Sequence, residues 1–129
     1  MAAALLLWAA PVAALEKYNC VTADFTGFGH EGTDFQAKNL RKTYQLLVKD
    51  DEVVVFTKSP DFNDNEKRYR FVMQDALDRF AVSEDGASFD MLSIPNRPGN
   101  RVATDGYFDA TLSLTSSFFV NAWLLRCTD

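Results

Sequence analysis

Residues 44–58, YQLLVKDDEVVVFTK, form the most regular pattern in the chain. Tyr44, Leu46 and Val48 alternate with Gln45, Leu47 and Lys49, the period of a strand with one buried face. Asp50 and Asp51 carry turn chemistry, and Val53, Val55 and Thr57 continue a β-branched run. Two such runs joined by a tight turn read as a β-hairpin.

The same period extends in both directions. Downstream, residues 60–65 break the second strand with proline and polar side chains. Tyr69, Phe71 and Met73 then alternate with Arg68, Arg70 and Val72. Residues 75–78 suit a turn, 79–83 a strand, 84–86 a loop with glycine, and 89–94 a returning strand. Residues 95–100 are rich in turn formers and read as a loop. Phe108, Ala110, Leu112 and Leu114 share one face of a strand over 107–114, and 118–127 forms the last strand. Upstream, residues 17–25 read as the first strand, followed by a loop with Gly27, Gly29 and Gly32. Two segments also fit a helical spacing. In 33–42, Ala37, Leu40, Tyr44 and Leu47 fall on one face, with Asp34 as a cap. In 73–81, Met73, Leu77, Phe80 and Ala81 do the same.

The expected fold is all-β: a small antiparallel meander of about eight strands, with room for one short helix. It is either an up-and-down barrel or a flattened sandwich. The Gly-x-Trp that lipocalins carry in the first strand is absent, so the likeness to lipocalins is one of architecture only.

The chain has two cysteines, Cys20 and Cys127, in the first and last strands. With no other thiol to pair with, they are expected to form one disulfide in an oxidising compartment. A disulfide requires Cα atoms within about 7 Å. First and last strands come that close in a closed barrel, whereas an open meander holds them apart.

Residues 1–14, MAAALLLWAAPVAA, read as a signal peptide cleaved after Ala14. A short apolar run is followed by small residues at the minus-three and minus-one positions, although no basic residue precedes it. The run is too short to span a bilayer, which takes about 20 apolar residues. Residues 15–129 then form a single all-β domain, exported to a periplasmic or extracellular space. A net charge of -5 excludes the basic footprint of nucleic-acid binding.

No motif supplies catalytic chemistry. The only histidine, His30, stands beside Glu31 in a glycine-rich loop, and such a pair can serve in acid–base work. Asp61, Asn63 and Asn65 match the first alternating ligands of a calcium loop, but Glu66 and Val72 stand where that loop needs glycine and glutamate. The carboxylates of Asp75 and Asp78, and of Asp105 and Asp109, lie close in sequence; turn formation explains them.

The reading is therefore a non-enzymatic binding or interaction domain, monomeric and without cofactor. Its occupant would be a small apolar ligand or a protein partner. Loops at one barrel end would carry the binding: 27–34 with His30 and Glu31, 60–66 with Asp61, Asn63 and Asn65, and 95–100 with Arg97 and neighbouring Arg101. The alternative is a small hydrolase or isomerase with carboxylates in the barrel mouth.

Overall fold

The computed structural model describes residues 15–29, 32–84, 86 and 88–129, with backbone alone for 103 and 104. The segment read as a signal peptide, and His30 and Glu31, lie outside the described residues.

Eight antiparallel strands follow one another around a closed barrel: β1 (Glu16–Phe28), β2 (Thr43–Val48), β3 (Glu52–Lys58), β4 (Asn65–Gln74), β5 (Asp78–Ser83), β6 (Phe89–Pro95), β7 (Phe108–Thr115) and β8 (Val120–Thr128). Helix α1 (Thr33–Leu40) joins β1 to β2, and helix α2 (Pro98–Asp105) joins β6 to β7. The barrel closes where β1 pairs with β8, which excludes the open and sandwich forms. Cys20 and Cys127 face each other in that register and are bonded, with Cα atoms 4.0 Å apart. No described helix is long and apolar enough to cross a membrane.

Alternation on each strand builds the core. Tyr44, Leu46 and Val48 of β2, and Val53 and Val55 of β3, are all buried, as residues 44–58 foretold. Cross-strand register then assembles one belt of side chains: Ala81 faces Leu92, Leu92 faces Leu112, Leu112 faces Trp123, and Trp123 faces Phe25. All five are 4% exposed or less.

Two irregularities reset the period. The β1–β8 register shifts between Thr22 and Asp24, so Cys20 and Phe25 are both buried although an odd number of positions separates them. The β4–β5 register shifts between Phe71 and Met73. Phe71 packs on the core while Met73 is 63% exposed. The bulge thus turns Met73 away from the face expected from alternation.

The helices correct three further expectations. The helical spacing over 73–81 yields to strands β4 and β5. The turn between them is held by the Asp75 carboxylate, which accepts hydrogen bonds from the N–H groups of Leu77 and Asp78, both at 2.8 Å. A helix does form after residue 32, but it ends at Leu40, and Tyr44 and Leu47 belong to β2. Its N-cap is Gly32, with Asp34 in the first turn beside Lys38. The loop expected over 95–100 is instead the entry to α2, with Pro98 in the first turn, where a missing N–H costs nothing. Val102 buries itself against the barrel.

Gly106 closes α2 in the left-handed region, with φ +82°. A Cβ there would meet no atom within 4 Å, so any penalty is backbone strain alone. Gly106→Ala is expected to cost about 1–2 kcal/mol in urea unfolding. A neutral result would show that the helix end relaxes freely.

Candidate site in the barrel mouth

The up-and-down order assigns each connection to an end. The β1–β2, β3–β4, β5–β6 and β7–β8 links share one end; the β2–β3, β4–β5 and β6–β7 links share the other. The three loops expected to act together therefore separate. Asp61, Asn63 and Asn65 stand at the α1 end, whereas Arg97 and Arg101 stand at the opposite end with α2.

At the α1 end the barrel opens into a cavity of about 130 Å³. Asn63 and Asn65 line it, but Asp61 does not. Its carboxylate accepts two hydrogen bonds from Arg41, at 2.8 and 2.9 Å, and Arg41 holds it below the usual carboxylate range. That pairing engages both carboxylate oxygens of Asp61 outside the cavity lining.

The deeper lining carries the chemistry. Lys67 pairs across strands with Val55, and Asp90 sits on β6 two residues before the inward Leu92. Register thus brings both charges inside the barrel. Asp90 is fully buried, forms an ion pair with Lys67, and accepts a hydrogen bond from the Ser88 hydroxyl at 2.6 Å. Burial pushes the Tyr69 phenol up, and the Asp90 charge and Tyr44 add to that. Burial also raises Tyr44, against a hydrogen bond with Thr22. Both phenols stay protonated at neutral pH and can donate.

Lys42 enters from the junction between α1 and β2. Its ammonium lies 4.8 Å from the ring centres of both Phe62 and Trp123. Such contacts are attractive within about 6 Å. Burial lowers its pKa. Among the described residues its ammonium has no hydrogen bond and no carboxylate partner. Trp123 is 3% exposed, and its indole Nε1 has no hydrogen-bond partner among the described residues. The Ser83 hydroxyl is in the same position.

Two lysines and one aspartate line the cavity. Since Lys67 and Asp90 neutralise each other, Lys42 leaves an excess positive charge in a chain of net charge -5. Trp123, whose ring the ammonium faces, carries a buried N–H donor with no acceptor among the described residues, an unfavourable state. The arrangement suits an apolar group between aromatic walls with an anionic or acceptor atom at its end.

The sequence reading missed Lys42, Lys67, Asp90 and Trp123. A signal existed for two of them: Lys67 has the same parity as Tyr69 and Phe71, and Asp90 the same parity as Leu92 and Ile94. A charge in a core-facing register needs a partner. Lys42 has no such signal, because its ring neighbours come from distant segments. Comparison with protein-family models, with curated proteins and with solved structures finds no match.

Proposed function

We propose that this chain is an exported, non-enzymatic binding domain that holds a small, largely apolar molecule by an anionic end in the barrel mouth. One observation carries the reading: the Lys42 ammonium, with no carboxylate partner among the described residues, lies over the ring of Trp123 at a cavity that both residues line, and the indole N–H of Trp123 is itself unpartnered there. A volume of about 130 Å³ is near that of an apolar cavity known to admit a benzene-sized group. Export is supported by the Cys20–Cys127 bond, which persists in oxidising compartments, and by the sequence of residues 1–14.

A second reading, a small hydrolase or isomerase, draws support from Asp90, the inward carboxylate such an enzyme needs. Asp90 is already committed to Lys67 and Ser88, which favours binding over proton transfer.

Benzoate serves as the probe. Its titration should move the Trp123 indole N–H resonance downfield and saturably, with benzylamine inert at the same concentration. Lys42→Met should weaken benzoate about tenfold or more, since a hydrogen bond to a charged group contributes about 1.5–3 kcal/mol. Equal binding of benzoate and benzylamine would remove Lys42 from the site and the proposal with it.

A further inference from the structure

Arg97 and Arg101 play no part in the mouth, yet the structure gives them a common setting. At the opposite end, an open cleft of about 720 Å³ lies between the β4–β5 turn and α2. We propose that this cleft is a second binding site, for a hydroxylated oxyanion of the sugar-acid class. The proposal does not depend on the mouth reading.

Three arginines line the cleft, Arg79, Arg97 and Arg101, together with Asp105. Arg79 is held in place without a carboxylate. Its guanidinium carbon lies 3.5 Å from the Phe71 ring centre, and it donates to the Asp50 carbonyl at 2.7 Å. A planar fork fixed in this way presents its remaining donors in one geometry, suited to a carboxylate. The Arg97 carbonyl accepts from the Arg101 N–H at 3.2 Å, while its guanidinium has no hydrogen bond or ion pair among the described residues. Arg101 meets Asp105 only at 3.9 Å, with both side chains about half exposed at 56% and 52%. Such a pair contributes little and exchanges readily for a better acceptor. Arg97 also stands at the N-cap of α2, whose first turn holds no acidic residue, so the helix adds to the positive potential.

Asn96 specifies what accompanies the anion. Its Nδ2 donates to the Asp75 carbonyl, which fixes the orientation of the amide. Its Oδ1 is then buried with no partner among the described residues. Guanidinium groups attract an oxyanion, but an orphan acceptor asks for a donor. A carboxylate with neighbouring hydroxyl groups supplies both. Leu77, 76% exposed on the same cleft wall, offers an apolar face to the C–H side of a sugar ring.

NMR titration of the full chain with D-glucuronate, acetate and D-glucose tests each element. Glucuronate should shift the amide signals of residues 96, 97 and 99–101 and the Arg79 Nε–H saturably, binding about tenfold tighter than acetate or glucose. Arg97→Ala and Arg101→Ala, both at exposed positions, should each weaken glucuronate about tenfold. Asn96→Ala should narrow the gap between glucuronate and acetate. Lys42→Met, which disables the mouth, should leave glucuronate binding unchanged. Acetate or glucose binding as tightly as glucuronate would overturn the proposal, as would shifts spread evenly over exposed basic residues.

Discussion

Removing the Cys20–Cys127 bond, by reduction or by the paired change Cys20→Ala and Cys127→Ala, is expected to cost about 4–5 kcal/mol of stability. The bridge spans 107 residues, nearly the whole described chain. In the chain-entropy picture, that closure takes freedom from the unfolded ensemble and leaves the folded barrel almost untouched. The native seam survives without it, because β1 and β8 stay paired from Asn19 to Phe28. Far-UV circular dichroism should therefore change little under native conditions. Urea unfolding should shift to a much lower midpoint, with a steeper slope as the uncrosslinked chain exposes more surface. A typical domain has only about 5–15 kcal/mol in total, so the reduced protein should sit near the edge of folding. A loss below about 1 kcal/mol would mean that the unfolded chain is already compact enough to hold its ends together.

The cysteines also explain why so much of the topology was legible. Residues 44–58 give β2 and β3 almost to the residue, since alternation and turn chemistry are local. Closure is not local, and the pairing of Cys20 with Cys127 was the one signal in the sequence that linked the ends. The bulges were hidden because a reset of period looks like noise in a single strand; only the β1–β8 and β4–β5 registers reveal it. Helix α2 was obscured differently. Pro98, Gly99 and Asn100 are turn formers, yet a first helical turn tolerates all three, and the flanking Pro98 and Gly106 match the usual start and stop of a helix. The site was the least legible part. Its walls come from the α1–β2 junction, β2, β3, the β3–β4 loop, β4, β6, β7 and β8, so no contiguous motif could announce it.

The ion pair inside the mouth is where substitution should do most damage. Lys67→Met is expected to cost about 3–5 kcal/mol, because it strands the Asp90 carboxylate in a fully buried position. Asp90→Asn should cost less. The Lys67 side chain is 22% exposed, so its ammonium can turn toward the mouth and water, while Asp90 at 0% has no such escape. The double variant Lys67→Met with Asp90→Asn should recover much of the loss, since no unpaired charge remains and the amide oxygen can still accept from Ser88. Urea unfolding of the four proteins closes the cycle, and strictly additive costs would show that the two charges do not depend on each other. The same set reports on the mouth. Asp90→Asn leaves two ammonium groups where there was one in excess, so benzoate should bind more tightly to it than to the parent. Lys67→Met reverses the balance, setting a bare carboxylate near Lys42, and should weaken benzoate. Stability and affinity thus move independently across the same two residues, separating an electrostatic role for the pair from a purely structural one.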